Sequence, residues 1–154
     1  MTSKESFDVL TAIEAEKNPY ELTREEWRCF TPEQKEERYK LQRKWKDEHE
    51  TRWLQAVHNI VPEVGLGCTI IYWSDRRAAT VTRIISPNKI AVKTNKVNCL
   101  DFFGSHYEIL PELEDGEDIF TKRRNGLWVL EGNKSKDGLR LMLHYQHHYI
   151  DPSF

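Results

Sequence analysis

Residues 64–97, VGLGCTIIYWSDRRAATVTRIISPNKIAVKTNKV, read as three strand runs joined by two polar turns. Cys68 to Trp73 (CTIIYW) is apolar at nearly every position, as in a strand covered on both faces. Ser74-Asp75-Arg76-Arg77 is turn chemistry. Ala78 to Ile85 is the second strand, with Val81 and Ile85 on one face and Thr80, Thr82 and Ile84 on the other. Ser86-Pro87-Asn88-Lys89 is the second turn, with Pro87 suited to its second position. From Ile90 to Val97 the pattern alternates, placing Ile90 and Val92 inward and Lys89 and Lys93 outward.

Downstream, Asn98 to His106 reads as a loop and Tyr107 to Leu110 as a short strand. Pro111 to Asp118 (PELEDGED) reads as an acidic loop. Ile119 to Arg124 and Leu127 to Glu131 flank Asn125-Gly126, which predicts a type I′ hairpin turn. Gly132 to Gly138 is a loop, and Leu139, Leu141, Leu143 and Tyr145 alternate as a last strand. Short strands with no helix between them imply an antiparallel meander over residues 64–154. At that size closure hides the sheet edges, so a small SH3-like β-barrel is expected.

Residues 1–60 differ in kind. Phe7, Leu10 and Ile13 form a narrow apolar stripe in a helix from Ser3 to Lys17, which Asn18-Pro19 ends. Thr23 and Glu26 form one capping box, opening a brief helix to about Phe30. Thr31 and Gln34 form a second, with Pro32 at the first helical position. From Pro32 to Asn59 nothing breaks a helix that would span roughly 40 Å. The fold class is therefore α+β: an N-terminal helical arm of two short helices and one long one, then the barrel.

Composition bounds the function. The 154 residues carry a net charge of −2, which argues against a duplex-DNA coat. Residues 61–110 are mildly basic, with 6 Lys+Arg against 4 Asp+Glu, so only a local anion site is arguable. Cys29, Cys68 and Cys99 are odd in number and in no CxxC pair, which argues against a disulfide framework or an all-cysteine zinc site. Met1-Thr2-Ser3-Lys4 leads into a charged run, and no stretch approaches the ~18 apolar residues of a membrane helix, so a cytoplasmic setting with no membrane partner is expected.

The site candidates follow. Arg76 and Arg77 in one turn, next to Trp73 and extended by Lys89, Lys93 and Lys96, suit a phosphate or a stacked base. The bland alternative is an arginine pair closing a turn against Asp75. Trp45 and Trp53 on a charged helix suit self-association or a protein partner. Lys122, Arg123 and Arg124 suit charge protection of a sheet edge. His144, His147, His148 and Asp151 share a face only on a helix; on a strand His144 and His148 stand about 13 Å apart, too far to chelate one ion. Phe102, Phe103, Tyr107 and Trp128 suit an aromatic pocket or, as the plainer role, core packing. Cys99, Asp101 and His106 offer a thiol, a carboxylate and an imidazole in one loop, with nothing in the sequence to converge them. No Gly-rich phosphate loop, GxSxG or HExxH occurs. The expectation is a non-catalytic binding module needing no cofactor or metal, with a nucleotide or single-stranded nucleic acid as ligand. The alternative is an adaptor working through the long helix.

The segments YWSDRRAATV (72–81), ISPNKIAV (85–92), NGLWV (125–129) and YIDPSF (149–154) resemble a group of small uncharacterised proteins common in phage genomes. That group opens with WSDR-x-x-x-TV and closes with aromatics and Phe. The likeness covers residues 65–154 and leaves the arm uncovered. It implies a phage-associated SH3-like domain, with counter-defence, such as sequestering a host nucleotide signal, as the role it suggests by analogy.

Overall fold

The computed structural model describes residues 3–101, 104, 106–143 and 145–153. The chain divides into two compact units, Met1–Asn59 and Ile60–Phe154.

The first unit contains, among the described residues, three helices: α1 (Ser3–Ala15), α2 (Arg24–Cys29) and α3 (Pro32–His58). Both expected capping boxes are formed, Thr23 with Glu26 and Thr31 with Gln34. Each satisfies two backbone N–H groups that a helix start leaves without partners. α1 stops two residues short of Lys17, and Asn18 begins the exit by accepting the Tyr20 N–H at 3.0 Å. The chain then runs back antiparallel along α3. His49 Nε2 meets the Ile13 carbonyl at 2.7 Å, Arg52 grips Glu16 with two bonds of 3.0 and 2.6 Å, and Trp53 Nε1 donates to Glu14 at 3.1 Å. Further along, Gln42 donates to the Tyr20 carbonyl at 2.9 Å, and Arg38 pairs with Glu26 at 2.8 Å. The long helix is thus lined by its own preceding segments over much of its length.

The second unit is an antiparallel sheet of, among the described residues, six strands: β1 (Gly67–Ile71), β2 (Arg76–Ser86), β3 (Lys89–Cys99), β4 (Tyr107–Lys122), β5 (Trp128–Leu130) and β6 (Arg140–Met142). Each pairs with the next, and β1 also pairs with β6, so the sheet closes in a ring. Cys68, Ile70, Ala79, Val81, Ile90, Val92, Phe120, Val129 and Leu141 are buried, and β1 and the start of β3 are buried at consecutive positions, 68–70 and 90–92, as strands covered on both faces are. Burial alone pushes the Cys68 thiol up to about 12.

Several expectations are corrected. The strand expected to reach Trp73 ends at Ile71, because the Tyr72 N–H turns to the Asp75 carbonyl at 3.1 Å. Its middle is covered on both faces, as expected: Thr69 is fully buried and donates to the Tyr145 carbonyl at 2.8 Å. Arg76 and Arg77 are not turn residues but open β2. The alternation expected for Ile84 and Ile85 fails. Register shifts fall at Val81/Arg83 and Ile84/Ser86, leaving Ile84 and Ile85 39% and 41% exposed.

The acidic loop expected at Pro111–Asp118 is strand. β4 runs unbroken for 16 residues. Between Lys93 and Asn95 on β3 the facing residues run from Glu117 to Leu113, and between Asn95 and Val97 from Leu113 to Ile109, so β4 bulges twice. Pro111 and Gly116 sit in those bulges, where a missing N–H or side chain is tolerated. Among the described residues, β4 pairs with β5 only through Phe120–Lys122, so Tyr107–Asp118 presents a free edge. Proline, bulges and carboxylates are how an exposed edge resists pairing with another chain.

That protection was expected instead at Lys122–Arg124. Arg123 is used differently: it donates to Thr121 Oγ1 at 2.8 Å, the Asn133 carbonyl at 2.9 Å, and the Leu130 carbonyl and Ser135 Oγ at 3.3 Å each. It pins the loop that follows β5. The Asn125-Gly126 turn is also not type I′, which needs two positive φ values. Only Gly126 has one, at 83°, and the Gly126 N–H reaches the Arg123 carbonyl at 2.9 Å. This is a type I turn closed by a glycine bulge.

Candidate functional site

The turn Tyr72–Asp75 is held from four directions. Arg76 Nη1 donates to the Tyr72 carbonyl at 3.2 Å and the Asp75 carbonyl at 2.9 Å. Arg76 and Tyr149 exchange both backbone hydrogen bonds at 2.7 Å, and Asp75 Oδ1 accepts the Asp151 N–H at 2.9 Å. Arg76 is therefore committed to the turn's carbonyls. Asp75 is not its ion-pair partner, as the bland reading had it.

Arg77, one residue on, points to the other face of β2. It is exposed, and its guanidinium lies 5.0 Å from the centroid of the Tyr72 ring. This is cation–π geometry, worth roughly 0.5–1 kcal/mol at such a site. The pairing Ala79↔Thr94 puts Arg77 on the same face as Thr94 and Lys96, whereas Thr80↔Lys93 puts Lys93 on the opposite face. The expected Arg77–Lys93 patch is thus split by the sheet. Lys89 is also withdrawn from it, paired to Glu131 at 2.7 Å.

The structure brings together a different set. Arg77, Tyr72, Thr94, Lys96, Glu114, Glu117, Asp118 and His148 line a cleft of about 590 Å³. It carries two cations and three carboxylates. Glu117 is held below the usual carboxylate range by its bond to Arg83 at 2.6 Å, with Thr82 adding a hydrogen bond at 3.1 Å. His148 is half-buried. Burial first, then Arg77 and His147, push its imidazole below the ordinary value. Its Nδ1 accepts the Ala78 N–H at 3.4 Å, an assignment that puts the proton on Nε2, and Tyr107 packs edge-on at 4.7 Å.

Trp73 lies elsewhere. It is 98% exposed and lines a second, mainly apolar cleft of about 710 Å³. Tyr72 lines both clefts. Trp45 stacks on His49 at 4.5 Å and Trp53 bonds Glu14, so both partner candidates are engaged within the arm.

Phe102, Phe103 and His144 lie outside the described residues. Trp128 is buried, as core packing requires, and Tyr107 is half-buried. Among the described residues no three His, Cys, Asp or Glu side chains are placed to hold a metal ion. Cys99, Asp101 and His106 do come together, contrary to expectation. The Cys99 thiol donates to the Asp101 carbonyl at 3.2 Å and lies 4.0 Å from Oδ1, while His106 Nδ1 is 2.6 Å from Oδ2.

Sequence reasoning missed Tyr72, Thr94, Glu114, Glu117, Asp118 and His148 as lining residues. The period-two rule, started at Arg76 instead of Ala78, would have separated Arg76 from Arg77; the choice of Lys96 over Lys93 needs the register of β2 on β3. Scans against protein-family models, curated proteins and solved structures each found no match.

Proposed function

We propose that this chain is a non-catalytic binding module that holds a nucleotide, free or at the end of a single strand, in the cleft between Arg77, Lys96 and the β4 carboxylates. The observation that carries this reading is the mixed lining beside an aromatic face. A simple anion would need cations alone. A nucleotide carries an anionic phosphate, a flat base and exocyclic amino donors. Arg77 and Lys96 suit the phosphate, Tyr72 the base, and Glu114 or Asp118 an amino group. A volume of about 590 Å³ is in the range of small-ligand sites.

The reading moves the ligand contacts from Arg76 and Lys93 to Arg77 and Lys96. We infer further that the ring is a small SH3-like barrel, supported by its consecutive antiparallel order and its closure through β1 and β6. A binder of this kind acts by sequestering its ligand, which accords with the phage-type resemblance.

Calorimetric titration with the four nucleoside 5′-monophosphates and their nucleosides tests this. At least one monophosphate should bind, and its nucleoside should bind ten-fold or more weakly. Equal affinity for nucleoside and nucleotide would remove the phosphate role of Arg77 and Lys96.

A further inference from the structure

The apolar cleft on the far side of Tyr72 is a separate matter. We propose that it docks a protein partner through a cationic segment carrying a bulky apolar side chain. Four of its lining residues are Trp73, Tyr72, Leu139 and Ile150, and its two ionisable side chains besides Tyr72 are the carboxylates of Asp75 and Asp151. No lysine or arginine lines it.

Trp73 is the strongest single sign. An indole 98% exposed leaves a large apolar area in water, and tryptophan is the residue type most enriched where partners bind. The turn beneath it is fixed by Arg76, Tyr149 and Asp151, so little ordering entropy is lost when a partner seats.

Charge selects the occupant. Asp75 Oδ1 is used by the Asp151 N–H, and Asp151 Oδ1 by the Ser153 N–H and hydroxyl. Among the described residues no hydrogen bond is seen to the second oxygen of either carboxylate, and both rim an apolar floor. A lysine or arginine beside a leucine or aromatic residue satisfies both at once. A nucleic-acid strand would bring phosphate against two carboxylates. An oligosaccharide would leave Leu139 and Ile150 facing hydroxyl groups.

The test is ¹H–¹⁵N and methyl NMR of the full chain, using the Trp73 indole and the Leu139 and Ile150 methyls as reporters. The probes are hexapeptides alternating Leu or Phe with Arg, the same peptides with Glu in place of Arg, dT8 and maltoheptaose. The cationic peptides should shift all three reporters. Their affinity should fall at least ten-fold in Trp73→Ala, and also in the double variant Asp75→Asn plus Asp151→Asn, which keeps the turn's acceptors. Trp73→Ala should melt within a degree or two of wild type, since the indole packs on so little. No shift with any cationic peptide, equal binding of the anionic ones, or preference for dT8 or maltoheptaose would overturn the proposal. Nucleotide binding is scored separately on Arg77.

Discussion

The guanidinium of Arg77 lies 5.0 Å above the ring of Tyr72, while its neighbour Arg76 turns the opposite way into the carbonyls of Tyr72 and Asp75. Two adjacent arginines thereby separate into a ligand-facing group and a backbone staple. The strand period, not their shared charge, decides which is which.

The Tyr72 ring supports Arg77 and offers a stacking face. Tyr72→Ala should weaken nucleotide binding about ten-fold, from a lost base stack and a lost cation–π contact. Tyr72→Phe should keep most of the affinity, because the ring and not the hydroxyl does the work. Calorimetry on both variants checks this, and equal losses would point to the hydroxyl.

Arg76→Ala removes two charge-assisted bonds, taking this donor from the Tyr72 carbonyl and leaving the Asp75 carbonyl with the Tyr72 N–H. We expect a loss of about 1.5–3 kcal/mol in urea unfolding. Arg76→Lys should recover only part of it, since both bonds come from Nη1 and a more strongly hydrated ammonium on a flexible stem replaces it less well. Stability unchanged in Arg76→Ala would show the turn to be held by Tyr149 and Asp151 alone.

Gly138 has no room for a side chain. A Cβ there would meet Asn133 Cβ at 2.5 Å, Val129 Cγ1 at 2.6 Å and the Lys134 carbonyl oxygen at 2.8 Å. Gly138→Ala should cost about 3 kcal/mol, because the crowding atoms include backbone and a buried valine. The melting temperature reports it. Gly116→Ala, where a Cβ would meet nothing within 4 Å, is the matched control.

His148 gives a pH dependence with a definite sign. Its folded value lies below the ordinary 6.5, so below that pH the unfolded chain binds the proton more readily. The stability linked to His148 is complete above 6.5 and is lost as pH falls from there through the lowered folded value. Melting curves from pH 7.5 to 5 should show a decline that His148→Gln reduces. An unchanged slope in that variant would place the titrating group elsewhere.

The local chemistry of the fold was legible in the sequence. Thr23–Glu26 and Thr31–Gln34 are read directly, because a capping box closes within four residues. The β2–β3 hairpin is legible for the same reason, since Pro87-Asn88 turns between Ser86 and Lys89. What could not be read is non-local. Residues 111–118 carry proline, glycine and five acids, which reads as loop, but the same residues protect a free sheet edge. Whether β3 supports such a segment depends on a register no local window contains. The candidate site was legible only in part. Arg77 is a candidate from its charge and lines the cleft, but Lys93 and Lys96 look equivalent until the pairing of Ala79 with Thr94 assigns their faces.

The central claim is that a nucleotide occupies the cleft beside Arg77. Its most direct measurement is side-chain NMR of Arg77 Nε and Lys96 Nζ during titration with the best-binding monophosphate. The account predicts that both resonances shift together and saturate with the affinity measured by calorimetry, and that Arg77→Ala weakens binding about 10- to 100-fold. Shifts confined to residues outside the cleft, or full affinity in Arg77→Ala, would contradict it.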